Sequence, residues 1–291
     1  LLPLLKGHLV IYDGFSQLLT IDQHPFMFFL LQGGLLRLAG DSEFSLRDVS
    51  VMAATLLPAV LWVLARWFVR RDIFPSSAPY WAAGFAAISP FFLWFGQEAR
   101  PYALWGMLAP LSTYLLLRAT ESKDLRRGWF AGFLLAELMF LTSHFYAVFL
   151  LPVHALVFYL WLAKRSRALA LIVSALILAI GALVGLAAYW LFIVIQAGGE
   201  NFSPVRLKVL IPDLLNAFSL GLSVDINRVW WIDLLFGALM LLGAGWAVRS
   251  RNAIKQGGWL PALLVVVPVC MLLVVNLVLP AYMTARQMAL I

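Results

Sequence analysis

Apolar residues run along this chain in long blocks, broken by short polar segments, and the blocks are of membrane-spanning length. Eight of them, 46–68, 80–95, 101–117, 129–142, 146–162, 169–196, 231–248 and 259–279, carry few charges. A helix needs about 20 residues to cross a hydrocarbon core of roughly 30 Å, so the pattern predicts eight spans, two of them short. A ninth apolar stretch, 25–39, has Gly33, Gly34 and Arg37 within it. As a helix it would be only about 22 Å long, so it is expected to lie at an interface or dock on the protein rather than cross. That expectation decides which face of the membrane residues 1–45 share.

Composition fixes the class. The chain has 291 residues, 63% hydrophobic and 12% charged, with a mean hydropathy of +0.93, which excludes a soluble core and predicts an all-α polytopic membrane protein. The single cysteine, Cys270, sits in an apolar block. It excludes an intrachain disulfide and reads as a small packing residue. The chain begins at Leu1 without Met and stops at Ile291 as another apolar run begins, so further residues are expected on both sides. The predicted organisation is an outer-face loop with short interfacial helices (1–45), a transmembrane module of six spans (46–196), an outer loop over a cavity (197–230), and two further spans with the start of another (231–291).

Charge orients the spans. Arg66, Arg70 and Arg71; Arg118, Lys123, Arg126 and Arg127; Lys164, Arg165 and Arg167; and Arg249, Arg251 and Lys255 occupy alternate connections, thirteen of the 21 basic residues. The positive-inside bias places these connections in the cytoplasm. The other face holds eight cations and ten acids, a net of −2. The overall +7 is therefore a topology signal and not a nucleic-acid footprint. On the outer face gather Asp13, Asp22 and His24 in IDQHPF; Gln97, Glu98 and Arg100 in FGQEARPY; His144 in LTSHFY; and Arg286 in YMTARQ. Carboxylates, imidazoles and arginines together suit a reaction in which an anionic group leaves and a hydroxyl or amine attacks. No histidines or cysteines have metal-ligand spacing.

Several of these segments fall in a telling order: Asp22-Gln23-His24-Pro25, a short apolar helix, the run from Gly40 to Arg47 leading into a span, Ser89-Pro90, Gln97-Glu98-Ala99-Arg100-Pro101-Tyr102, and Thr142-Ser143-His144-Phe145-Tyr146. Over residues 1–161 the chain resembles the bacterial GT-C glycosyltransferases of family 39, which are similar to protein O-mannosyltransferases and aminoarabinose transferases. The resemblance implies an enzyme of the bacterial inner membrane, its site facing the periplasm or exterior. Its partners would be a polyprenyl-phosphate sugar donor, a lipid, glycan or protein acceptor, and membrane lipids, with no nucleic acid. The transferred sugar would be of hexosyl or pentosyl type. Family members carry an Asp-Glu pair after their first span, whose Asp is the general base. That pair is absent here, and the resemblance places it upstream of Leu1. No cofactor is expected; a divalent ion bridging Asp22 and the donor phosphate is chemically allowed but not predicted.

Each candidate has a plainer reading beside the functional one. Glu98 and Arg100 can form a boundary ion pair which, with Gln97, caps the helix beginning at Pro101. By resemblance, Arg100 binds the donor phosphate and Glu98 supports catalysis by orienting donor or acceptor. Tyr102 reads first as an interfacial anchor, although its motif puts it among the substrate-binding residues. Asp22 and His24 can be a polar turn before Pro25; by resemblance they face the cavity, Asp22 in a catalytic role and His24 on the phosphate. Asp13, beside Gly14, reads as a turn residue.

His144 lies seven residues after Glu137, which would put both on one helix face about 10 Å apart. Glu137 reads as a protonated acid bonded to a neighbouring span, and His154 as a packed, satisfied side chain. Arg286 is either an interface anchor or a second phosphate cation. The outer loop 197–228 is expected to cover the cavity and shape acceptor choice. Gly181 and Gly185 form a small-residue pair for helix packing. The rival reading is a non-catalytic membrane protein: a transporter, a lipid scramblase or a degenerate transferase subunit. A transporter would show internal repeats, and none is evident.

Overall fold

A computed structural model describes residues 25–40, 42–190, 206–221, 224, 226–247, 249 and 257–278. Among them all regular structure is helical: α1 Met27–Ala39, a 3-10 turn Ser45–Arg47 leading into α2 Asp48–Val69, α3 Ala78–Ile88, α4 Pro90–Gly96, α5 Tyr102–Ala119 and α6 Arg127–Leu141. A 3-10 segment Phe145–Leu150 then runs into α7 Leu151–Leu162, followed by α8 Arg167–Tyr189, α9 Leu207–Ser219, α10 Ile226–Ala247 and α11 Leu260–Val278. The protein is therefore all-α and polytopic.

Five stretches are long and apolar enough to cross a membrane: Ser45–Val69, Phe145–Leu162, Arg167–Ala187, Arg228–Ala247 and Leu260–Leu277. The other three expected spans are shorter or more polar. Block 80–95 is two helices, because Pro90 cannot donate a backbone hydrogen bond and pushes Ser89 into an extended conformation (φ −60°, ψ 117°). α5 has 18 residues with Ser112, Thr113 and Tyr114 in its middle, and α6 has 15.

Contacts sort the helix ends into two sets. At the basic end, Glu121 takes ion pairs from Arg71 (3.2 Å), Arg118 (3.2 Å) and Arg126 (3.3 Å), and Asp124 pairs with Arg165 at 2.5 Å. The arginines also lie on indoles of their own helix ends, Arg71 3.5 Å from the Trp67 ring centre and Arg249 4.0 Å from that of Trp246. The charge alternation read from the sequence thus corresponds to one physical end of the bundle.

At the opposite end, α1 packs against the helix ends. Its first amide, Met27 N, donates to Thr142 O at 3.0 Å just past α6. Further along, Gln32 Nε2 donates to Ser45 O at 2.7 Å at the entry to α2. With 13 residues, Phe28 and Phe29 buried, α1 lies against the bundle end that also holds residues 97–101. At 13 residues it is shorter than the helices long enough to cross a membrane.

Mid-bundle, α5, α6 and α7 are joined by a buried polar chain. Thr113 Oγ1 donates to Ala109 O (2.9 Å), so it accepts from His154 Nε2 (3.0 Å), and His154 Nδ1 lies 3.1 Å from Glu137 Oε1. This matches the expectation that Glu137 bonds a neighbouring span and that His154 is satisfied. His144 differs from expectation. α6 ends at Leu141, so Glu137 and His144 do not share a helix face.

α8 and α10 are peripheral, with only 11% and 6% of their crossing windows buried. Gly181 and Gly185 do serve packing, presenting α8 to Leu151 and Val148. Cys270 corrects another expectation. It is exposed on α11, so it faces outward and fills no core space.

Removing one member of the α6–α7 pair strands the other in an apolar interior, which costs about 3–5 kcal/mol. His154→Leu is expected to lower the thermal unfolding midpoint in detergent. The double change Glu137→Leu with His154→Leu is expected to recover most of that loss.

Candidate functional site

The polar segment between α4 and α5 is seated on α2 by close approach. Gly96 ends α4 where a Cβ would stand 2.8 Å from Ala54 Cβ, so only glycine lets the two backbones meet there. One turn earlier on α2, Ser50 Oγ donates to Arg100 O at 3.0 Å. Between these anchors the chain reverses, with Arg100 N donating to Glu98 O at 2.8 Å. Ser50 is fully buried, so the carbonyl it holds is fixed from below while Gln97 and Arg100 stand exposed.

This geometry overturns the boundary-pair reading. Among the described residues there is no ion pair between Glu98 and Arg100. Glu98 Oε1 instead accepts from Trp94 Nε1 at 2.8 Å, and its other oxygen is shielded from solvent without a hydrogen-bond partner. The N-cap of α5 is Pro101, and among the described residues no hydrogen bond joins these side chains to the first turn of α5.

Beneath the turn, aromatic rings run from one helix to the next. Phe218 of α9 lies 4.6 Å from Phe91, Phe91 is 4.6 Å from Phe95, and Phe95 is 5.0 Å from Tyr102. Tyr102 is 5.8 Å from His144, whose imidazole stacks on Trp105 at 4.3 Å and 19°. Tyr102 is 4% exposed, so it is a core residue and not the interfacial anchor expected of it. Its ring fills the space between Phe95, just before the 97–101 turn, and His144.

His144 is held as firmly. Past the end of α6 it becomes the N-cap of the 3-10 segment, its Nδ1 accepting from Tyr146 N at 3.3 Å. That assigns the ring hydrogen to Nε2 in the neutral form. Because Met27 N bonds Thr142 O two residues earlier, the start of α1 lies at the same place. The structure thus gathers Gln97, Glu98, Arg100, Tyr102 and His144 at the end opposite the basic loops. Asp13, Asp22, His24 and Arg286 lie outside the described residues.

The loop helix α9 docks its C-terminal end on this assembly. Gly221, at φ +93°, follows α9 where a Cβ would meet Pro90 at 2.8 Å. Farther from the turn is an apolar cavity of about 270 Å³, lined by residues including Leu57, Leu64, Phe92, Gly106, Thr113 and Leu264. It runs from the helix break toward the basic end. Sequence reasoning missed Trp94, Ser50 and Trp105. The four-residue spacing of Trp94 and Glu98 was a readable helical signal; the other two contacts join distant segments and leave no local trace.

Together the helices and the site define a polytopic all-α membrane protein of the GT-C class. Residues 23–192 match the profile of the dolichyl-phosphate-mannose-protein mannosyltransferase family, and the chain belongs to that family. It is a membrane glycosyltransferase that draws on a lipid-linked sugar. No match was found among curated proteins or solved structures. The matched stretch contains Gln97, Glu98, Arg100, Tyr102 and His144, and ends before Arg286.

Gly96→Ala forces α4 off α2, with no flexible side-chain end to absorb the overlap. The expected cost is about 1–3 kcal/mol, read as a lower thermal midpoint. Gly34→Ala, where a Cβ meets nothing within 4 Å, is the control and should leave it unchanged.

Proposed function

We propose that the turn at residues 97–101 is the donor-phosphate site of an inverting glycosyltransferase of family 39 type in a bacterial inner membrane, with its site facing the periplasm or exterior. The observation that carries this reading is an exposed arginine, Arg100, with no carboxylate partner among the described residues, on a turn fixed to α2 at the end opposite the basic loops. A charge at a membrane boundary tends to be paired or functional, and a guanidinium matches a phosphate through two parallel hydrogen bonds.

In the proposed reaction the oxygen or nitrogen of a lipid, glycan or protein acceptor attacks the anomeric carbon of a hexosyl or pentosyl unit. The new bond forms as the bond from that carbon to the phosphate oxygen breaks. The acceptor's proton passes to a carboxylate, and polyprenyl phosphate leaves as the anion. Arg100 takes up that growing charge, assisted by His24 and Arg286, with His144 and Gln97 as neighbouring contacts. Glu98 and Asp22 support the acceptor side, the main base being the upstream Asp that the family resemblance implies. The apolar cavity between α2, α5 and α11 suits part of the polyprenyl chain. We assign acceptor selection to α9, which packs on α4 through Phe218 and Gly221. The proposal assigns no cofactor or metal.

The test is sugar transfer from radiolabelled polyprenyl-phosphate sugars by the reconstituted full-length protein. Arg100→Ala is expected to lower kcat/KM by about 10²–10³, the usual effect of losing one preorganised charge-stabilising group. Undiminished transfer would remove Arg100 from the mechanism. Absence of transfer with every donor would favour the non-catalytic subunit.

A further inference from the structure

Glu98 and Arg100 stand two residues apart on a reversing turn, in surroundings where opposite charges gain from pairing. They do not pair. The carboxylate is taken instead by Trp94, one helical turn earlier on α4, through Nε1 to Oε1 at 2.8 Å. Trp94 is 48% exposed, and an indole at such a boundary ordinarily turns its N–H to water or headgroups. Here it turns back onto the protein. Glu98 Oε2 is meanwhile shielded from solvent and has no donor among the described residues, an arrangement that a bound ligand hydroxyl would satisfy.

We infer that Trp94 is a positioning residue: its indole N–H holds the Glu98 carboxylate off Arg100 and so keeps the guanidinium open for the donor phosphate. The inference rests on the assignment of Arg100 to that phosphate. Trp94 touches no reacting atom; it acts through Glu98. Without the indole N–H, Glu98 is free to swing onto Arg100, and an incoming phosphate must displace a carboxylate before it binds.

The test is direct binding of polyprenyl phosphate, without sugar, to the full-length protein in lipid nanodiscs. Trp94→Phe keeps the ring and removes the donor; it is expected to weaken binding about tenfold, in the range set by competition between charged groups at a site. In a Glu98→Gln background the same change should have no effect, because no charge remains to close on Arg100. Equal weakening in both backgrounds would make Trp94 a packing residue, and unchanged affinity in Trp94→Phe alone would also overturn the inference. Arg100→Ala separates the two levels. If it leaves affinity unchanged, the phosphate site itself is misplaced; if it weakens binding while Trp94→Phe does not, only the role of Trp94 falls.

Discussion

The contact between Gly96 and Ala54 sets the geometry of the functional end. Two helices meet there backbone to backbone, and the chain that follows must turn at once, because α5 starts six residues later at Tyr102. Ser50 fixes the turn by holding the Arg100 carbonyl from beneath. With the backbone so constrained, Arg100 projects outward and Tyr102 inward. The charge and the ring are two consequences of one seating.

The inward ring carries the constraint across the bundle. Tyr102 packs on Phe95 and on His144, and His144 stacks on Trp105 of α5 while capping the next helical segment. Aromatic contacts of this kind are worth about 0.5–1.5 kcal/mol each beyond the area they bury. Their larger role is geometric, since a buried His fixed by stacking on one side and by a backbone amide on another has little freedom. A site assembled this way is preorganised, which is what stabilising a departing phosphate requires. The basic end is built differently. Glu121 ties three arginines from two neighbouring connections, and indoles lie under Arg66 and Arg249, so these charges hold loops and helix ends together.

Much of this was legible in the sequence, and for identifiable reasons. Alternating charge survives as topology because moving a charged loop across a bilayer is costly, whatever the helices do in between. The shortness of α1 was also readable, since Gly40 ends it after 13 residues. The motif order around Ser89-Pro90, residues 97–102 and 142–146 pointed to a GT-C glycosyltransferase, and the match to the dolichyl-phosphate-mannose-protein mannosyltransferase family agrees at that level. What escaped was pairwise. Composition offered Glu98 a guanidinium two residues away, and the fold gave it an indole four residues back, on the helix that precedes the turn. Tyr102 looked interfacial because its neighbours in sequence are polar, whereas its neighbours in space are Phe95 and His144. Helical periodicity placed His144 above Glu137, but α6 stops at Leu141 and sends the two to different partners.

The central claim is that a lipid phosphate binds at the turn held by Gly96 and Ser50, beside His144. A polyprenyl phosphate carrying a photoreactive group on its first isoprene unit tests this most directly when crosslinked to the full-length protein and mapped by peptide mass spectrometry. The account predicts labelling at residues 91–105 and 142–149, suppressed by excess unlabelled polyprenyl phosphate. Suppressible labelling confined to the basic connections around Arg71, Glu121 and Arg165 would contradict it.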